Sequence, residues 1–366
     1  MAKNDQLVRL ERDFLLQGMY CNSDLFYQIG ANKVLLCSGQ VLNNDMLLRI
    51  REICDKGGAI YVSAATYTNL MEQQQVFEDM NQKTGKRLHE VTKEFNNIIN
   101  DCTAGKRLDV KQLVPIVDEL SSFSQAGQVT FLLQWVGYMR DMNEYLQSHS
   151  TNVAMLNGLF AGWLGMTEAQ CRKAVIIGLL HDLGKTKIPP EILDKPGRLT
   201  EEEFAVIKKH PVYSCEILRQ SSLLDEELLA GVRGHHEKTN GMGYPDGLVL
   251  EQISTYARIT AVSDIYDAMV AKRCYKEANS PFDVLYEFYT EKFYALDMNI
   301  VNTMLKNMRT ELMGKKVILS DGRIATVTFI DGDHFNFPFV ETSDGQIFQT
   351  NSDIKCVSLC TRTGVV

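Results

Sequence analysis

Five of the seven histidines lie within 88 residues of one another, from His149 to His236, in a region whose composition favours helices. Apolar spacing through Tyr145, Val153 and Leu156 places His149 on the inner stripe of its helix. A buried imidazole needs either a hydrogen-bond partner or a metal ion. The fold must therefore gather several polar rings inside one helical domain.

A capping box marks the start of the next helix. Thr167 and Gln170 have T-x-x-Q spacing, and the apolar residues after them predict a buried helix. His181 and Asp182 come at the end of this helix. Two groups that can bind a metal should therefore emerge together from the core.

A second capping box, formed by Thr200 and Glu203, predicts a further helix. Phe204, Ile207 and His210 follow at i, i+3 and i+6, which places them on one inner face. The next residue is a proline, which kinks or ends the helix. We expect His210 to face the core.

Another apolar stripe leads directly to a pair of histidines. Leu228, Leu229 and Val232 precede His235 and His236, so both rings can project to the same inner side at a helix end.

Asp264 lies on a seam of small residues. It shares 4-3-4 spacing with Ala257, Ala261 and Ala268, so that neighbouring helices can approach closely there. An unpaired carboxylate in such a place is costly. This predicts a partner for Asp264 inside the domain.

Five inward imidazoles and two inward carboxylates are difficult to satisfy by hydrogen bonds alone, whereas divalent cations take N and O ligands of this kind. For any one histidine, a hydrogen-bonded core residue would be the simpler explanation. For the whole set, with its adjacent His-Asp and His-His pairs, we predict a shared metal site.

The pattern along the chain predicts three units. Residues 1–72 contain short apolar runs broken by Gly and Asn, with one helix near Leu47 to Cys54, which favours a small β-rich domain. Residues 73–312 are rich in helix formers and predict an all-α region. Residues 313–366 carry three Asp-Gly turns, at 321, 331 and 344, between β-branched runs, which predicts a small β-domain.

Composition excludes several classes of protein. Nine cysteines without CxxC spacing favour reduced thiols and a cytoplasmic location. A net charge of −8 without a basic run argues against DNA or RNA binding. No stretch resembles a signal peptide or is apolar enough for a membrane span.

Five blocks of sequence together resemble the HD-GYP family, a subgroup of the HD phosphohydrolases. The blocks are HDLGK at 181–185, IPPEILDKPGRLTEEE at 188–203, the later His210, HHEKTNGMGYPDGL at 235–248 and ARITAVSDIYDAM at 257–269. The resemblance covers about 140–280. It implies that the all-α region is an HD-type helical bundle with its catalytic core there, flanked by the two β-rich domains.

The resemblance also implies a ligand set for two divalent metals. His149, His181, Asp182 and Asp264 would hold the first, and Asp182 would bridge to a second held by His210, His235 and His236. Two neighbouring ions suit phosphodiester hydrolysis. Iron or manganese is expected, with nickel or zinc as alternatives.

Other positions resemble the residues that contact substrate in this family. Lys185 would be the cation at the scissile phosphate, and Arg273 and Lys276 would meet a second phosphate. Tyr244, in a loop dense in turn signals, would form a wall beside the second metal. The same loop would also receive signalling partners.

Two positions depart from the pattern of some members. Asn240 stands where the family usually has Asp, which removes a charge and leaves a hydrogen-bond acceptor. Tyr145 stands one turn before His149, where members with a third metal have Glu, and Glu144 is one residue off that face. Two metals are therefore expected.

By this resemblance the chain would be bacterial and would hydrolyse cyclic di-GMP to the linear dinucleotide and, as in some members, GMP. Catalysis would rest on Asp182 and Lys185. The alternatives are a cyclic di-GMP receptor or docking module without turnover, and a phosphodiesterase for another cyclic dinucleotide. A homodimer and roles for the β-domains stay open.

Overall fold

The computed structural model describes most of the chain. The described residues are 7–10, 15, 20, 21, 23–29, 31–36, 40–42, 44–56, 58–71, 85–124, 132, 133, 136, 145–195, 197–221, 225–271, 280–290 and 295–360.

The N-terminal part contains short strands and two helices. The strands are β1 (Leu7–Leu10), β2 (Tyr20–Cys21), β3 (Leu25–Ile29), β4 (Ala31–Leu36), β5 (Gln40–Val41) and β6 (Ala59–Ser63). Four of them form an antiparallel sheet in the order β1-β6-β3-β4, and β2 pairs with β5. Helix α1 (Asn44–Asp55) covers the helical segment predicted here, and α2 spans 64–71.

Helices dominate the middle of the chain. They are α3 (Lys86–Thr103), α4 (Val110–Phe123), α5 (Tyr145–Trp163), α6 (Glu168–Leu180), α7 (Pro190–Leu193), α8 (Glu201–Ile207), α9 (His210–Gln220), α10 (Glu226–Arg233), α11 (Thr255–Ala271), α12 (Pro281–Tyr289) and α13 (Met298–Leu312). A 3-10 turn, Leu183–Lys187, follows α6. Both predicted capping boxes are confirmed, at Thr167 with Gln170 and at Thr200 with Glu203.

A five-stranded antiparallel sheet ends the described chain. Its strands are β7 (Lys316–Leu319), β8 (Ile324–Phe329), β9 (Phe339–Thr342), β10 (Ile347–Gln349) and β11 (Cys356–Cys360), in the order β10-β9-β8-β7-β11. Two of the predicted Asp-Gly turns join β7 to β8 and β9 to β10, where Gly322 and Gly345 have φ of 86° and 81°. Glycine adopts this left-handed backbone without steric cost.

Buried apolar side chains form two clusters. One lies within the N-terminal part and includes Leu25, Ile60 and Leu70. The other runs through the helices and continues into the C-terminal sheet, where Val317 and Val327 belong to it. The structure thus confirms a mostly helical protein with small sheets toward both ends. Among the described residues, no helix is long and apolar enough to cross a membrane.

The prediction that one helix carries both Phe204 and His210 is wrong. Helix α8 stops at Ile207, and His210 is the first residue of α9. The reason is Pro211, because proline fits the first turn of a helix, where its missing N–H is not needed. As a result His210 is buried, as predicted, but Phe204 is 46% exposed.

Candidate metal centre

Seven predicted ligands converge in the helical region from different elements. His149 comes from α5, His210 begins α9, and Asp264 lies in α11. The others follow helix ends: His181 and Asp182 after α6, and His235 and His236 after α10. Their ligand atoms form two groups, each within 4.8 Å: Asp182, His210, His235 and His236 in one, and His149, His181 and Asp264 in the other.

The Asp182 carboxylate stands between the two groups. Its Oδ2 is 3.3 Å from His181 Nε2 and 3.6 Å from His149 Nε2. Its Oδ1 is 3.2 Å from His210 Nε2 and 3.9 Å from His235 Nε2. One oxygen therefore faces each group, which is the arrangement that a bridging carboxylate needs.

Backbone carbonyls fix the orientation of three of the imidazoles. The Nδ1 atoms of His181, His210 and His235 lie 2.7 to 2.8 Å from the carbonyl oxygen three residues earlier in each case. A carbonyl oxygen can only accept, so each Nδ1 carries a hydrogen and each Nε2 presents a lone pair when the ring is neutral. Those lone pairs point at the other ligand atoms, as is usual for metal-binding histidines.

The centre is unsatisfied without a cation. His210 Nε2 and His235 Nε2 face each other at 3.2 Å, although both present lone pairs. His181 Nε2 and Asp182 Oδ1 are buried and have no hydrogen-bond partner. Buried polar atoms in proteins are rarely left this way. A divalent ion would satisfy these atoms together, so the residues present fit a metal.

Electrostatics keeps two of the imidazoles neutral. Burial holds the pKa of His235 well below its ordinary value. Burial also lowers the pKa of His236 to about 4. Neutral imidazole is the form that binds a metal.

The carboxylates of the centre are held in their charged form. Burial would raise the pKa of Asp182, but the neighbouring His181 ring and Lys185 ammonium hold it well below its usual range. Burial would likewise raise the pKa of Asp264, but its hydrogen bond with His149 lowers it. Burial would lower the pKa of His149, but its hydrogen bonds with Asp264 and Asp267 raise it to about 10. A divalent cation would displace the proton of His149 and bind the negative oxygens with the imidazole nitrogens.

Asp267 is a functional candidate that the sequence analysis missed. It is 1% exposed, and its Oδ2 lies 2.7 Å from His149 Nδ1. Its Oδ1 accepts a hydrogen bond from Asn152 at 2.9 Å. Asp267 therefore orients His149 as the backbone carbonyls orient the other rings. The available signal was its position three residues after Asp264, on the same face of α11.

Replacing Asp267 with asparagine should weaken metal binding. The carboxylate that orients and polarises His149 would be lost, and such an outer partner is worth roughly 10- to 100-fold in metal affinity. Metal retained after dialysis against a competing chelator measures the effect. The control is Asp225→Asn, which changes a cap of α10 and leaves the metal centre untouched. Equal metal retention in both variants would contradict the role given to Asp267.

Lys185 lies at the edge of the centre. Its Nζ is 2.5 Å from Asp182 Oδ2, and its side chain is 37% exposed, so it connects the buried carboxylate with solvent. Burial would lower the pKa of Lys185, but the charge of Asp182 raises it. The ammonium therefore stays positive at the edge of the centre.

The glycine-rich loop after His236 is held by two acidic residues. Buried Glu237 accepts backbone hydrogen bonds from Asp246, Gly247 and Leu248 at 2.6, 3.1 and 3.0 Å. Arg233 binds Asp246 through two nitrogens, at 2.6 and 2.7 Å.

This loop places Tyr244 beside the centre, with ring centroids 4.7 Å from His236. Asn240, the departure from the family pattern, uses its side-chain oxygen to accept from the Met242 N–H at 3.1 Å.

Some predicted positions lie outside the described residues. These are Arg273 and Lys276, together with Glu144 and the side chain of Tyr145. The predicted contacts to a second phosphate and the prediction about a third metal therefore stay predictions.

The HD domain family matches residues 138–288, which contain all seven ligands and Asp267. The matched region is similar to HD domains. This match agrees with the resemblance to the HD phosphohydrolases in the sequence, and an HD domain implies binding of divalent metal.

Similar proteins include cyclic dinucleotide phosphodiesterases. The chain is 32% identical over 231 residues to the cyclic di-GMP phosphodiesterase PA4108 of Pseudomonas aeruginosa, a match that covers 63% of this chain and 55% of that one. It is 41% identical over 151 residues to a cyclic di-GMP phosphodiesterase response regulator of Xanthomonas campestris, covering 41% and 40%. It is 34% identical over 161 residues to a 3'3'-cGAMP-specific phosphodiesterase of Vibrio cholerae, covering 44% and 31%. The chain thus spans about half or less of these relatives.

Proposed function

We propose that this protein is a metal-dependent phosphodiesterase that hydrolyses cyclic di-GMP to the linear dinucleotide in a bacterium; the product analysis below decides whether GMP follows. The observation that carries the proposal is the pair of ligand groups that meet at Asp182 with their nitrogen lone pairs turned inward. The HD domain and the names of the similar proteins support it.

The proposed division of ligands follows the distances. His149, His181, Asp182 and Asp264 would hold one ion, and His210, His235 and His236 would hold the second with Asp182 shared. Ions held there would supply an activated water nucleophile and charge neutralisation for the phosphate. Iron or manganese is proposed for both positions, since this mixed imidazole and carboxylate set suits them.

The protein's own groups would orient the substrate. The Lys185 ammonium lies next to Asp182, and its side chain is 37% exposed. It would neutralise the negative charge that develops on a phosphate oxygen. Tyr244 would line the side of the centre where His236 lies. Outside the described residues, Arg273 and Lys276 are proposed to contact the second phosphate of the cyclic dinucleotide.

The test is anaerobic turnover of cyclic di-GMP by protein loaded with manganese or ferrous iron, with products separated by chromatography. The proposal expects linear product from the loaded protein and none from a sample stripped with chelator. Tight binding of cyclic di-GMP without product in either sample would contradict it and would favour a receptor. Parallel assays with 3'3'-cGAMP and cyclic di-AMP test the substrate.

Several broader features are part of the same proposal. The protein is proposed to have three domains, at 1–72, 73–312 and 313–366, with the catalytic core at about 140–280. It is proposed to act in the cytoplasm, with the glycine-rich loop open to signalling partners and with homodimer formation as a further expectation. Nucleic acid and membrane are not proposed as partners.

A further inference from the structure

Phe204 is a large aromatic side chain that the fold leaves in solvent. The sequence pattern places it on an inner face, yet it is 46% exposed at the surface of α8. Single exposed apolar residues are common and need no explanation. Phe204 is of interest because its ring lies next to Tyr244, which is beside the metal centre.

Three rings lead from the metal centre to the surface. The Tyr244 centroid lies 4.7 Å from that of His236, with an angle of 34° between the rings. The Phe204 centroid lies 6.5 Å from that of Tyr244, with the rings close to perpendicular. A ligand whose phosphate lies among the metal ligands could therefore extend along Tyr244 toward Phe204. Exposed aromatic faces of this kind are platforms on which nucleobases stack.

Lys208 adds a hydrogen-bond donor at the same place. Its Nζ lies 5.0 Å from the centroid of Phe204. In the part of the chain that the structure describes, Lys208 is in no ion pair, whereas nearby Lys195 is paired with Glu203 at 2.7 Å. No described carboxylate therefore holds the Lys208 ammonium, which lies over the Phe204 ring and would have to move to the edge of a base that stacks there.

The chemistry of the pair favours one purine. Guanine presents two acceptors, N7 and O6, on the edge that a lysine can reach, whereas adenine has a donor amino group in place of O6. A cation beside a stacking ring should therefore discriminate guanine from adenine.

We propose that Phe204 and Lys208 form a guanine-binding subsite at the mouth of the metal centre. This inference rests on the proposed function, because it assigns part of the substrate's recognition. Phe204 would stack on a base of the cyclic dinucleotide, and Lys208 would select guanine. Both act on substrate binding and not on the metal ligands.

The first test measures steady-state kinetics with cyclic di-GMP. Phe204→Ala should raise KM by roughly 5- to 100-fold, with kcat and metal content unchanged. Phe204→Trp should keep a low KM, whereas Phe204→Leu, which is apolar but has no π face, should behave like the alanine variant. The matched control is Phe329→Ala, which removes another exposed ring, on β8, and should leave KM unchanged. A wild-type KM in Phe204→Ala or in Phe204→Leu would overturn the stacking role.

The second test compares cyclic di-GMP with cyclic di-AMP. Lys208→Met should reduce the preference for guanine by roughly 5- to 100-fold in kcat/KM, because a donor to guanine is lost. Lys209→Met, at the neighbouring exposed lysine, should leave the preference as it is in the wild type. An unchanged preference in Lys208→Met would overturn the selection of guanine.

A binding measurement separates this inference from the proposed reaction. In Phe204→Trp, GMP should quench the added indole fluorescence more strongly than AMP does, after subtraction of the wild-type signal from its two tryptophans. Quenching by GMP in a protein that shows no turnover would support the guanine-binding subsite and contradict the proposed hydrolysis. Turnover without quenching would support the hydrolysis and contradict the guanine-binding subsite.

Discussion

Asp182→Asn should abolish the proposed hydrolysis of cyclic di-GMP and lower the metal content of the purified protein. Each oxygen of Asp182 faces a different ligand group, and an amide offers one oxygen and one NH₂. The NH₂ would face imidazole lone pairs and could not bind a metal. We expect kcat to fall roughly 10³-fold or more, because both the bridging ligand and its charge are lost.

Elemental analysis alongside the kinetic assay checks this expectation. The fold should survive, since asparagine has nearly the same shape, and circular dichroism should match that of the wild type. Asp118→Asn serves as the control, because Asp118 is an exposed partner of Arg172 on the outer surface of α4. A fully metallated and active Asp182→Asn protein would refute the bridging role.

Gly184→Ala should destabilise the protein by about 3 kcal/mol and disorganise the metal centre. A Cβ on Gly184 would lie 2.0 Å from the backbone oxygen of His210 and 2.5 Å from the backbone nitrogen of Ser214. Neither atom belongs to a flexible side chain, so the 3-10 turn and α9 would have to separate. The turn follows Asp182 and α9 begins with His210, so the separation would pull ligands apart.

Urea unfolding followed by circular dichroism measures this loss. Gly162→Ala is a matched control within α5, because a Cβ there meets nothing within 4 Å. That substitution should be neutral or stabilising, since alanine favours the helix more than glycine does. If Gly184→Ala unfolded at the same urea concentration as Gly162→Ala, the close approach of the turn to α9 could not be important.

Local features of the sequence predicted much of the site. The capping boxes located the helix starts, and His181 and His235, which follow buried apolar helices, are buried as predicted. These predictions succeed because caps and stripes depend on residues within one or two turns. The two Asp-Gly hairpins of the C-terminal sheet succeeded for the same reason.

The remaining features depend on how distant elements pack. The hydrogen bond between Asp267 and His149 joins α11 to α5, and the two residues are 118 positions apart in the sequence. Helical periodicity within each helix does not predict how two helices are rotated relative to each other. Phe204 was misplaced because its i+6 partner, His210, lies beyond the end of α8. The sequence also could not predict the role of Glu237, because its carboxylate accepts hydrogen bonds from backbone N–H groups, which every residue except proline has.

The single apolar cluster shared by the helices and the C-terminal sheet affects how this protein can be divided. Val317, Val327 and Val340 bury their side chains in the same cluster as residues of α5, α12 and α13. A catalytic fragment cut after Leu312 would expose that apolar surface to water and to other copies of itself. The N-terminal part has its own cluster, so shortening the chain from that end leaves the larger core intact.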